Sequence, residues 1–164
     1  PAEQPQTRLA GLLVRRTEPT NFHVGAQFDA YLLEGPSNDF ALGDRPTACD
    51  GVVTAWLIWR VRQANIPDTT SVFVQALDAD GRLLAQADGP PLGLRPGLLA
   101  APPDTTLFDL RELVLPEGET AEPNTLLVGV YDFTTGERSP ATDANGQPLP
   151  DNAWRIPIST CPES

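Results

Sequence analysis

Residues 52–62 read VVTAWLIWRVR. A helix would gather Val53, Trp56, Leu57 and Val61 on one face, but it would strand Ile58 and Trp59 on the opposite one. The β-branched and aromatic content favours a strand. Side chains of a strand alternate, so Val53, Ala55, Leu57, Trp59 and Val61 share one face. Val52, Thr54, Trp56, Ile58 and Arg60 share the other. Both faces are apolar through the middle, the pattern of a central strand covered on both sides.

Similar segments lie on either side. Residues 26–33 (AQFDAYLL) read as a strand ended by Glu34-Gly35-Pro36. Residues 71–77 (SVFVQAL) run into Asp78-Ala79-Asp80-Gly81, a hairpin turn in which Gly81 supplies the positive φ, and residues 82–87 return as the partner. Residues 105–115, 124–132 and 154–158 read as further strands. Residues 8–16 (RLAGLLVRR) fit either an opening strand or a helical turn. Residues 89–104 form a Pro/Gly-rich loop with Leu98-Leu99 at its centre. The count is seven or eight strands, with helix expected below about a tenth of the chain. That spacing is the signature of an all-β, single-domain antiparallel β-sandwich, immunoglobulin-like or jelly-roll-like.

Composition agrees. The 18 prolines and 13 glycines of the 164 residues break helices, while 40% hydrophobic residues suffice for a core. Residues 1–7 read as a polar linker stub and residues 8–164 as the domain. With a start at Pro1 and no Met, a processed or excised piece is expected, any signal peptide or anchor lying outside it. The net charge of −11 disfavours nucleic acid and anionic lipid as partners. No stretch approaches the roughly 18 apolar residues of a membrane span, so no direct membrane insertion is expected of this segment. Oligomeric state is not legible.

Three stretches together carry a family resemblance. The first is Trp56-Leu-Ile-Trp59, followed by Val72-Phe73-Val74-Gln75 and Leu77-Asp78-Ala79-Asp80-Gly81-Arg82. The second is Phe108-Asp109 and Leu113-Val-Leu-Pro116, before Val128-Gly-Val-Tyr131-Asp132. The third is Thr135-Gly-Glu-Arg138, then Asp143-Ala-Asn-Gly146-Gln147-Pro148-Leu149. Over residues 26–158 this resembles the β-sandwich modules that follow the membrane part of certain bacterial glycosyltransferases. Those enzymes are similar to the dolichyl-phosphate-mannose protein mannosyltransferases. The resemblance implies an extracytoplasmic accessory module and transfers no catalytic residue. It also places Trp59 where such modules carry a tryptophan. The chain departs from the pattern at Gln75 and Ala76, in an insert over residues 37–50, and in its two cysteines.

Cys49 and Cys161 are the only cysteines. Each sits at the end of an expected strand, where a sandwich brings distant segments together. A Cys49–Cys161 disulfide is expected, which would imply an oxidising compartment; the other reading is two unrelated thiols. His23 is the single histidine, in a loop with no nucleophile motif, so neither a Ser-His-Asp triad nor a zinc site is expected. Asp109 and Glu112 are the first candidates for a glycosidase-type pair, but a strand spacing of three puts them on opposite faces. Asp29 and Asp132 could meet across a sheet. Asp78 with Asp80, and Asp143 with Asn145, offer oxygen-rich turns to calcium, although aspartates in turns usually bond their own backbone. No metal and no cofactor is expected.

Trp56 and Ile58 are the candidate ligand or partner surface. A flat Trp56 ring facing solvent would suit a glycan or a membrane-associated protein. The expected function is a non-catalytic extracytoplasmic accessory or interaction domain. The alternatives are a carbohydrate-binding module presenting glycan to an attached enzyme and, more distantly, a two-carboxylate hydrolase.

Overall fold

The computed structural model describes residues 7–9, 12–16, 20–22, 26–28, 31–34, 46–61, 66–90 and 102–161. The strands are β1 (Thr7–Leu9), β2 (Leu12–Arg16), β3 (Thr20–Phe22), β4 (Ala26–Phe28), β5 (Tyr31–Glu34), β6 (Thr47–Cys49) and β7 (Val52–Val61). They continue with β8 (Thr70–Leu77), β9 (Leu83–Gln86), β10 (Thr106–Val114), β11 (Thr125–Asp132), β12 (Ala141–Thr142), β13 (Trp154–Pro157) and β14 (Ser159–Thr160). Among the described residues there is no α-helix, only a 3-10 turn at Pro150–Asn152. None there is long and apolar enough to cross a membrane. The all-β sandwich expected from the sequence is the fold. The strand segments outnumber the expected seven or eight because many span only two to five residues.

Strand β7 is central. Along one edge it pairs with β10 over its whole length, from Thr106↔Arg60 to Val114↔Val52. Its other edge is shared: β6 lies opposite Val52 to Thr54, and β4 lies opposite Trp59 to Val61. The sheet runs β12-β3-β4-β7-β6-β14, with β10 joined to β7. A second sheet has the order β13-β11-β8-β9, with β11 and β8 antiparallel from Thr125↔Leu77 to Asp132↔Thr70. Strands β1, β2 and β5 form a third, three-stranded sheet. Of residues 8–16, open between strand and helical turn in the sequence, the described ones lie in the antiparallel strands β1 and β2. Residues 26–33 do not form one strand: β4 and β5 belong to different sheets.

The core lies between the two larger sheets. Val53, Ala55, Leu57, Trp59 and Val61 of β7 are at most 2% exposed. They join Val72, Val74 and Ala76 of β8 and Leu126, Val128 and Val130 of β11 in one cluster. Of the two apolar faces read from the alternation of residues 52–62, the one with Val53, Ala55, Leu57, Trp59 and Val61 is the buried face. The Trp59 ring packs against Phe22 with centroids 6.0 Å apart.

The turns follow from their residues. Asp50 and Gly51 both have positive φ, 50° and 77°, so a two-residue turn joins β6 to β7 and matches their twist. Two longer turns repeat one another. In Asp78–Arg82 the Asp78 N–H donates to the Arg82 carbonyl at 3.0 Å, and the Gly81 N–H donates back to the Asp78 carbonyl at 3.1 Å. In Asp143–Gln147 the same two bonds measure 2.9 and 3.1 Å.

Candidate functional site

Cys49 and Cys161 form a disulfide, with Cα atoms 5.3 Å apart. The reason is topological. Strand β14 pairs parallel to β6, and the Cys161 N–H donates to the Ala48 carbonyl at 3.1 Å. A two-residue parallel strand is a weak attachment. The disulfide fixes this C-terminal strand to the sheet edge beside the Asp50-Gly51 turn.

Trp56 is half-buried on the outer face of the β7 sheet. Its register partner on β10 is Leu110, 39% exposed; two steps of the alternation further Val52 pairs with Val114, 70% exposed, with the Thr54–Glu112 pair between them. The outer face thus carries two apolar pairs separated by a polar one. The Ile58 side chain lies outside the described residues, as do His23 and Asp29.

The carboxylates singled out in the sequence are held by the fold. Asp109 is fully buried and Glu112 is exposed on the other face of β10. Asp109 Oδ2 accepts from Arg111 Nε at 2.9 Å and from Trp59 Nε1 at 3.4 Å. The other two guanidinium nitrogens of Arg111 donate to the carbonyls of Ala87 and Gly89, both at 2.8 Å. Arg111 thereby ties β10 in one layer to the backbone following β9 in the other. The sequence reading missed this side chain. The signal was the Asp109-x-Arg111 spacing, which puts opposite charges on the face shared with the buried Leu113.

The acidic turns bond themselves. Asp78 Oδ1 accepts the N–H of Asp80 at 3.0 Å and of Arg82 at 2.8 Å. The Arg82 N–H is the main reason its carboxyl titrates below the usual range. Asp143 Oδ1 accepts the N–H of Asn145 and Gln147 at 2.8 and 2.9 Å. Among the described residues no three potential ligands cluster for a metal.

Asp132 closes β11 in the same style. Its Oδ1 accepts from the Thr134 hydroxyl and N–H and from the Thr135 N–H, and its Oδ2 accepts from the Thr69 hydroxyl at 2.7 Å. These donors, the Thr134 hydroxyl foremost, hold the carboxyl at about 2. Beside it lies a surface cleft of about 320 Å³, lined by Thr70, Tyr131, Asp132, Glu137, Ser139 and Pro140 among others. Tyr131 packs edge-on against Phe73 at 6.3 Å, and the Arg138 guanidinium lies 4.2 Å over the Phe73 ring.

Comparison of the chain with models of known protein families gives no match, and comparison with curated protein sequences gives none.

Proposed function

We propose that this chain is a non-catalytic accessory module that works outside the cytoplasm, its sandwich acting as a binding or docking domain for a glycan or a membrane-associated protein. The observation that carries the reading is how the acidic side chains are used. Asp109 is held by Arg111 and Trp59 inside the core, and Asp78, Asp132 and Asp143 accept from their own turns. Carboxylates committed in this way are poor general acids or nucleophiles, because activity would require breaking structural bonds. The Cys49–Cys161 disulfide supports the compartment, since such bonds persist where the surroundings are oxidising. The resemblance to glycosyltransferase-associated modules points the same way.

Two measurements test it. Thiol trapping in the cells of origin, followed by intact mass, should find both cysteines protected; alkylation of both would remove the extracytoplasmic reading. A panel of chromogenic glycosides should show no turnover by the purified chain. Turnover abolished by Asp109→Asn, in a variant that still folds, would make the domain a hydrolase.

A further inference from the structure

We infer that the cleft beside Tyr131 is a binding site for a neutral saccharide. The inference rests on the accessory-module reading above and gives it a ligand class and a place. The cleft lies where β8 begins and β11 ends. Its volume of about 320 Å³ falls at the small end of ligand sites, roughly 300–1,000 Å³, so it suits a short saccharide.

Thr70 supplies the observation that points to a ligand. It is 5% exposed and lines the cleft. Its N–H is bonded to the Pro67 carbonyl at 2.9 Å. Among the described residues nothing hydrogen-bonds its hydroxyl, whereas the neighbouring Thr69 hydroxyl donates to Asp132. Buried hydroxyls are rarely left unmatched in native proteins, and a polar partner entering the cleft would satisfy this one. The second open group is Glu137. It is exposed, it lines the same cleft, and no donor among the described residues is bonded to its carboxylate.

The remaining lining selects the chemistry. Pro67 and Pro140 offer apolar surface, while Thr135 and Ser139 add hydroxyls. Arg138 also lines the cleft, but its guanidinium is directed to the Asp151 carbonyl at 3.0 Å and the Gln75 side chain at 3.4 Å, over the Phe73 ring. An anion would meet Asp132 and Glu137 on a chain of net charge −11 and be repelled. A sugar ring presents hydroxyl donors to Glu137, a donor and acceptor to Thr70, and C–H faces to Pro67 and Pro140. That is the combination of apolar wall and a few convergent polar groups by which small-molecule sites recognise ligands.

The test is a backbone amide NMR titration of the full chain with maltose, cellobiose and lactose, and with putrescine as a cationic control. At least one disaccharide should shift the Thr70, Tyr131 and Thr135–Ser139 amides saturably, with millimolar affinity. Glu137→Ala changes an exposed residue and Thr70→Val keeps the side-chain shape, so both should fold. Each should weaken binding by about tenfold. Shifts confined to other residues, such as Trp56 and Leu110, would overturn this site while leaving the accessory-module reading intact. A response to putrescine alone, or no response to any disaccharide, would overturn it as well. Cleavage of the bound disaccharide, with shifts at these amides, would support the site and reject the non-catalytic reading.

Discussion

Arg111 and Asp109 form an ion pair inside the sandwich, with Nε 2.9 Å from Oδ2 and side chains 7% and 0% exposed. They sit two positions apart on β10, on the face that also carries the buried Leu113. Removing one partner leaves an uncompensated buried charge, which costs about 3–5 kcal/mol. Arg111→Met should therefore destabilise by that amount in urea unfolding. The double variant Asp109→Leu/Arg111→Met removes both charges and should recover at least half of the loss. A double variant as weak as the single one would show that the bonds from Arg111 to Ala87 and Gly89, rather than the buried charge, dominate.

Gly129 is fixed by the ring beneath it. It pairs with Phe73 across β8 and β11, and a Cβ on Gly129 would collide with that ring and lie 3.1 Å from the Asn152 carbonyl. The ring has little room to retreat, because Tyr131 packs against it and Arg138 lies over it. Gly129→Ala should cost about 1–3 kcal/mol as an overpacked position. Combining it with Phe73→Leu should relieve part of the clash. Additive losses in the double variant would mean that the ring is not the obstacle.

The disulfide closes a sequence separation of 112 residues. Cross-linking a loop of that size is worth roughly 4–5 kcal/mol by restricting the unfolded chain. Cys49→Ser/Cys161→Ser should lower the urea midpoint accordingly. Amide exchange should rise most at Ser159 and Thr160, which pair only with β6. Protection there equal to that of the oxidised protein would show that β14 holds without the covalent bond.

Much of this architecture is legible in the sequence because it follows from local rules. Alternation over residues 52–62 sorts the residues of β7 into its two faces. Glycines 81 and 146 mark the two turns that repeat one another. The insert over residues 37–50 hid β6, although Asp50-Gly51 carries a strong hairpin signal just before β7. What could not be read depends on contacts between distant segments. Arg111 reaches carbonyls more than twenty positions away, and β14 attaches to β6 across most of the chain. The cleft is equally non-local: Thr70, Tyr131 and Glu137 come together only through the pairing of β8 with β11 and the turn that follows.

Acid should weaken the turn after β11. Asp132 has its folded carboxyl held at about 2, against an ordinary value of 3.8. A depressed folded value contributes stability that is fully present above the ordinary value and is lost as pH falls through the folded one. The thermal midpoint should therefore drop between about pH 4 and pH 2. Asp78 and Glu119 are also lowered and add the same sign, whereas Asp88, raised by desolvation, opposes it. The difference between wild type and Asp132→Asn isolates one group: the variant should show a shallower fall over that window. Parallel pH curves would mean that the Thr69 and Thr134 bonds do not favour the ionised form.

Trp56 and Trp59 stand on opposite faces of β7 and should respond differently to truncation. Trp59 is fully buried and touches Phe22, so Trp59→Ala should cost about 3–5 kcal/mol as a core truncation. Trp56 is half-buried, and its register partner Leu110 is itself 39% exposed. With only part of its ring removed from water, Trp56→Ala should cost about half as much, roughly 1.5–2.5 kcal/mol. Urea unfolding of the two variants side by side gives the comparison. A loss at Trp56 equal to that at Trp59 would mean that the outer face at Trp56 and Leu110 is sealed as tightly as the core and is no free platform. A loss under about 0.5 kcal/mol would mean that the ring gains nothing from its neighbours, as a surface substitution does. The intermediate value is the one half-burial requires.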